Sequence, residues 1–387
     1  MYNAETALAT RLQDLDIGNA IPEYIGPAWM PIRMQRALEF ACQRVGRVEV
    51  YGETIPESVF TQIAALASLH TLTLEVATLR DNDLITLRQL QTLRDVEIES
   101  PTITDAGMRG LEGLTNLKVA IIRCPNVGDN GVKHLKALVQ LETLCLANTK
   151  VGDAGMEYLR NLKKLQSLNV SHTVISDEGI ESVRELDCLD HLDLSSTRIH
   201  DKGIESISHL RTLEHLDIDS TGISDSGIVH LRELAGLKIL HLCNTPISDN
   251  GMADLAGLNR LELLYLSGTQ ITDSGLRHLS GMTSLRRLEL NNTQVTGRGF
   301  VHLIGLTKLT TVVMHRTALD DDGLLQMSHS SIVDLSVTGS RVTDAGLMHL
   351  QGMSSLRSLS VINTDTSPEG RASLRIALPY CDIVAYP

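Results

Sequence analysis

Aromatic side chains are scarce in this sequence. Three Phe, one Trp and seven Tyr make up 3% of 387 residues. Any sizeable core must therefore be aliphatic, and at 42% hydrophobic residues there is ample material for one. Positive charge is also short. Lys and Arg number 34 against 47 Asp and Glu, a formal net charge of −13. A nucleic-acid partner needs a basic stripe, and anionic membranes attract polybasic segments. Neither partner is expected.

Long apolar runs are missing too. None approaches the roughly 20 residues that span a bilayer, so no membrane insertion is expected. Residues 1–20, MYNAETALATRLQDLDIGNA, have neither a basic n-region nor an apolar h-region. The cysteines, Cys42, Cys124, Cys145, Cys188, Cys243 and Cys381, are scattered and form no CxxC pair. Free thiols in a reducing compartment follow. The expectation is a cytoplasmic monomer, stated for this chain alone, since it could be a fragment of a longer protein.

No catalytic signature is present. There is no G-x-G-x-x-G or G-x-x-x-x-G-K for phosphate, and no G-x-S-x-G elbow. Cys243 has His241 two residues away, but no third group to orient the pair. No enzyme activity, catalytic residue, resident metal or cofactor is expected.

What is present is a period. Gly107, Gly131, Gly155, Gly179, Gly203, Gly227, Gly251, Gly275, Gly299 and Gly323 follow one another at 24 residues, and Gly346 comes 23 residues later. Before each glycine stands an L-x-x-L-x-L segment, such as Leu261, Leu264 and Leu266. After it, apolar residues recur every third position, as in Leu276, Leu279, Met282 and Leu285. The first pattern suits a strand and the second a short helix. Weaker copies begin near Val45, Leu69 and Leu93, and the last strand falls near Tyr380. One such unit cannot bury its own apolar face, so units stack and share a core.

Two polar columns accompany the period. Thr149, Thr173, Thr197, Thr221, Thr245, Thr269, Thr293, Thr317 and Thr364 share one position, with Ser340 in a shortened unit. Their hydroxyls can satisfy backbone groups where the chain leaves the strand. Asp153, Asp177, Asp201, Asp225, Asp249 and Asp273 of the D-x-G signal are expected to cap their own helices.

The pattern LxxLxLxxTxI[ST]DxGLxxLxxL, as in LELLYLSGTQITDSGLRHLSGM (261–282), resembles the leucine-rich-repeat family. It is most similar to the cysteine-containing-like subtype of bacterial repeat proteins and many F-box proteins, with Thr where that family often has Asn or Cys. The resemblance implies an α/β solenoid, a horseshoe with a concave parallel β-sheet and convex helices in 24-residue repeats. It also implies a protein-binding scaffold, with the partner set by variable surface residues.

The expected organisation is an N-terminal helical cap over 1–44, a repeat array of about 14 units over 45–379, and a C-terminal capping strand over 380–387. In the first segment Met34, Leu38, Ala41 and Cys42 share a helical face, and IPEYIGPAW (21–29) carries the single Trp. IPEYI is faintly like the opening of an F-box. Yet only twenty residues separate Ile25 from the strand at Val45, too few for a three-helix box.

The function must then be sought on the sheet face. Positions 3, 5, 7 and 8 of the strand segment are expected to vary there. His191, Asp193, His215, Asp217, Asp219, His241, Leu263, Tyr265, Arg287 and Glu289 occupy positions 3, 5 and 7 in neighbouring units. The leading reading is a concave-face binding surface for a protein of unknown identity. The bland alternative is a solvated acidic face left by unit duplication. A third is a metal or small-ligand site using His191, His215, His241 and Asp217, since imidazole and carboxylate are suitable donors. A fourth makes the chain the recognition part of a larger ligase or effector. The carboxylates are expected to raise the histidine pKa values. Two irregularities stand out: Gly297 replaces the usual Asp, and the unit around 327–335 is one residue short.

Overall fold

The computed structural model describes residues 46–385. The helix expected over 30–44, the IPEYIGPAW segment and Pro387 lie outside them. The chain divides into two compact units, Met1–Ile175 and Ser176–Pro387.

In the first unit the strands are β1 (Arg47–Gly52), β2 (Thr71–Val76), β3 (Asp95–Glu99), β4 (Val119–Arg123), β5 (Thr143–Cys145) and β6 (Ser167–Asn169). Each pairs in parallel with the next. In the second unit they are β7 (His191–Asp193), β8 (His215–Asp217), β9 (Ile239–His241), β10 (Leu263–Tyr265), β11 (Arg287–Glu289), β12 (Thr311–Val313), β13 (Asp334–Ser336), β14 (Ser358–Ser360) and β15 (Asp382–Val384), again in parallel sequence order. Partners are 24 residues apart, as Leu264 with Leu288, and 23 apart across the short unit, as Val312 with Leu335.

The alternation L-x-L sends one side chain into the core and its neighbours outward. Leu261, Leu264 and Leu266 are fully buried, while Leu263 and Tyr265 are half-buried on the opposite face. From β5 onward the strands are only three residues long. From β5 to β14 the reason is a residue in left-handed backbone that turns the chain, at Asn148, His172, Ser196, Ser220, Asn244, Gly268, Asn292, Arg316, Gly339 and Asn363. Glycine adopts this conformation freely, and Asn and His do so more readily than most other residues. Position 8 of the segment is thus a turn position, not a freely varying one. Strands β1–β4 lack the device and run five or six residues.

The threonine column performs as its chemistry requires. Thr149, Thr173, Thr197, Thr221, Thr245 and Thr269 are buried, and each hydroxyl donates to the carbonyl three residues earlier at 2.6–2.7 Å. Ser340 is the exception, since its buried hydroxyl finds no partner.

The aspartates correct the sequence reading. Asp225 and Asp249 do not cap their own helices; they are the first helical residues, and the caps are Ser224 and Ser248. Asp225 instead accepts the backbone N–H of Ser248 at 2.8 Å and the Ser248 hydroxyl at 2.5 Å, in the next repeat. That hydroxyl in turn accepts the N–H of Asn250 and caps its own helix. Asp201, Asp249 and Asp273 make the same tie. Asp177 accepts the N–H groups of His200 and Gly203, and Asp153 is likewise a first helical residue. The misreading has a physical cause. A solenoid must satisfy backbone between units as well as within them, and a carboxylate has two oxygens to offer.

The repeat glycine follows from this tie. A Cβ at Gly275 would lie 2.5 Å from Oδ1 of Asp249. Glycine keeps that space open. Where Gly297 interrupts the column, the next helix moves onto it: a Cβ there would lie 2.9 Å from the Gly323 Cα. The tie is replaced locally, because Asp320 caps its own helix by accepting the N–H of Gly323 at 3.0 Å.

The last helix of the second unit is Pro368–Ala377, capped by Ser367 with Pro at its start. Arg375 donates to the carbonyl of Ile383 at 2.8 Å and fastens that helix to β15.

Candidate binding surface

Every candidate residue falls in the second unit, on β7–β11 or just after β8. Register puts His191, His215, Ile239, Leu263 and Arg287 in one row across the sheet. Asp193, Asp217, His241, Tyr265 and Glu289 form the next. Neighbouring strands stand about 4.8 Å apart, so rings in adjacent columns meet. The His191 and His215 rings lie 5.4 Å apart, His215 and His241 5.4 Å apart and stacked, and His241 and Tyr265 4.1 Å apart and stacked. The stack crosses from the first row to the second between His215 and His241. Sequence alone indicated the columns but not this diagonal.

The carboxylates are held from below. Asp193 accepts the backbone N–H of Ser195 at 3.0 Å and its hydroxyl at 2.7 Å. Asp217 Oδ1 accepts the N–H of Asp219 at 2.9 Å. Asp219 Oδ1 accepts the N–H of Cys243 just after β9. Each of the last two carboxylates therefore spends one oxygen on backbone and turns Oδ2 toward His241, whose Nδ1 lies 3.9 Å from both. Arg287 and Glu289 pair with each other. Asp190 pairs with the exposed ring of His191 and was missed by the sequence reading, which considered only the outward strand positions.

Burial decides the electrostatics, and it reverses one expectation. The pKa values of His215 and His241 are lowered, not raised. At His215 desolvation leads and the neighbouring histidines reinforce it. At His241 desolvation outweighs Asp219, Asp193 and Glu289. Desolvation also pushes Asp217 up to about 7, with Asp219 and Asp193 adding repulsion, and it raises Asp219. Withdrawing a half-buried group from water penalises its charged form, whichever sign that is. Burial, reinforced by Asp219, holds the Cys243 thiol up at about 12, so thiolate is not its resting form.

The donor set considered from sequence, His191, His215, His241 and Asp217, is not the set that converges. Among the described residues, the group whose donor atoms approach one another is Asp217, Asp219 and His241, all within 4.8 Å. His191 and His215 stand in the ring stack outside it.

Parallel strand–turn–helix units on a 24-residue register, with an aliphatic core and a variable outer face, define a leucine-rich-repeat solenoid. The chain belongs to that family: the family model of a leucine-rich repeat region matches residues 107–376. The fold is similar to an internalin from Listeria monocytogenes at 19% identity and a TM-score of 0.62, over 90% of this chain and 89% of that one. It is also similar to a leucine-rich-repeat protein of Leptospira interrogans at 15% identity and a TM-score of 0.61, over 90% and 97%. The comparison with curated proteins finds no match. No helix among the described residues is long and apolar enough to cross a membrane.

Proposed function

We propose that the chain is a non-enzymatic scaffold that binds a protein partner on the outer sheet face of β7–β11. The observation that carries this reading is the row of rings His191, His215, His241 and Tyr265, the last three stacked, with Leu263 on the Tyr265 strand and Asp193, Asp217, Asp219, Arg287 and Glu289 on the same strands or just after them. Half-buried aromatic and aliphatic groups inside a polar rim match the anatomy of binding hot spots. Rings locked by stacking have little rotamer freedom left to lose on docking. Family membership supports a binding role in general. The acidic balance favours a partner with basic groups at the rim.

We read the chain as a cytoplasmic monomer. Cys124, Cys188, Cys243 and Cys381 form no disulfide, which suits a reducing compartment.

The test is affinity capture from lysate with wild type beside the double variant Leu263→Asp, Tyr265→Ala. Each recovered protein is identified, purified and titrated against both. At least one is expected to lose about tenfold or more in affinity. Equal affinity of every partner for both chains would remove this face from the account.

A further inference from the structure

Asp217 and Asp219 raise a question that the docking surface does not answer. Both are half-buried carboxylates, and neither has a Lys or Arg ion-pair partner among the described residues. Among the described residues, the group that ion-pairs with them is a histidine. Paired acidic groups withdrawn from water normally carry a cationic partner, because burying unpaired charge is costly.

The geometry shows where a cation would fit. Oδ1 of each carboxylate is committed to a backbone N–H, which fixes both side chains. The Oδ2 atoms are left facing Nδ1 of His241. The His241 ring is clamped between His215 and Tyr265, with interplanar angles of 19° and 16°. Three donor atoms thus converge from two adjacent strands and the turn after β8: the Asp219 backbone holds Asp217, the Cys243 backbone holds Asp219, and two stacked rings hold His241. Donors about 2 Å from a tetrahedral ion lie roughly 3.3 Å apart. The observed separations of 3.9 Å from Nδ1 to either oxygen close to that with small side-chain shifts.

We propose that Asp217, Asp219 and His241 form a binding site for one divalent transition-metal ion. One imidazole nitrogen and two carboxylate oxygens suit zinc, nickel or cobalt; calcium and magnesium prefer all-oxygen shells. Three protein donors leave at least one coordination position open on the exposed face for water or a donor from outside the chain.

The experiment uses the full chain, stripped with chelator and alone in solution, so its outcome is independent of any partner. Zinc and nickel are titrated calorimetrically, and cobalt by its visible absorption. One ion per chain is expected. His241→Ala and Asp219→Asn should each weaken binding by about tenfold or more, while His302→Ala, at an exposed position outside this face, leaves it unchanged. Circular dichroism checks that each variant is folded. Selective broadening of the His241 ring resonances by cobalt in the wild-type chain locates the ion without any substitution. Absence of binding by the wild type overturns the proposal. So does unaltered affinity in the folded His241→Ala chain, or broadening centred on other histidines. Loss of the docking activity in Leu263→Asp, Tyr265→Ala tests the preceding reading separately.

Discussion

Asp249 and Thr272 lie 23 residues apart and are joined twice. Oδ1 of the aspartate accepts the Thr272 backbone N–H at 2.8 Å, and Oδ2 accepts its hydroxyl at 2.6 Å. The Thr272 hydroxyl then accepts the N–H of Ser274 at 3.2 Å and starts the next helix. One carboxylate thus couples two repeats and sets the entry of a helix that is not its own.

Asp249→Ala should therefore destabilise the chain by about 1–3 kcal/mol, the usual cost of stranding a partly buried donor. Thr272→Val alone should cost less, because its N–H keeps the Asp249 oxygen. A double-mutant cycle by urea denaturation should show the two changes to be non-additive. Full additivity would mean that the hydroxyl half of the tie contributes nothing to the interface.

Gly297→Asp restores the repeat consensus and should nevertheless destabilise. Gly297 has φ +92°, and a Cβ there would lie 2.4 Å from Cδ1 of Leu319. The Gly323 N–H that might reward a new carboxylate is already taken by Asp320. A loss of about 2 kcal/mol or more is expected from positive φ and overpacking combined. A thermal midpoint equal to or above wild type would contradict this account of the irregular unit.

Cys124 and Cys188 should separate cleanly in a thiol-labelling experiment. Cys124 is fully buried, and burial pushes its thiol up to about 12, whereas Cys188 is exposed. With iodoacetamide near about pH 8, Cys188 should label fast and Cys124 only as fast as the structure opens. Mass spectrometry of timed samples reads the order. Comparable rates at the two sites would show that Cys124 is not enclosed as described.

Asp344 gives a prediction with a defined pH direction. The hydroxyl and N–H of Ser367 hold its carboxyl below the usual carboxylate range. A folded-state pKa below the unfolded value adds stability above the unfolded pKa, and that stability is lost as pH falls through the folded one. Ser367→Ala removes the leading donor, so the Asp344 pKa should rise and stability should begin to fall at a higher pH. Carboxyl NMR titration reads the first effect and thermal midpoints across the acid range read the second. The same substitution also removes a helix cap, a loss that is independent of pH and so separable. An unmoved Asp344 titration would refute the assignment.

Much of this protein was legible in its sequence because repetition makes local rules visible many times over. Leu261, Leu264 and Leu266 announce a strand with one buried face, and Thr269 announces the turn that follows it. The 24-residue spacing fixes the pairing of Leu264 with Leu288 without any knowledge of the tertiary structure. The register also placed His191 beside His215 and Asp217 beside His241.

Other features depend on distances that a one-dimensional pattern does not contain. The D-x-G aspartates look like caps of the helices they begin, and only the stacked units reveal that Asp225 reaches Ser248. His215 and His241 occupy different strand positions, yet their rings stack because side chains lean along the strand. The sign of the histidine pKa shift depends on how much water reaches each ring, and that is set by neighbours on both sides. Asp219 joined Asp217 and His241 through the direction of its second oxygen, which the N–H of Cys243 decides. The sequence by itself determined the repeat, the core and the columns on the outer face, since these follow from the period of apolar and polar residues. Only the tertiary structure decided which atoms of those columns converge, because convergence depends on side-chain direction and burial rather than on spacing.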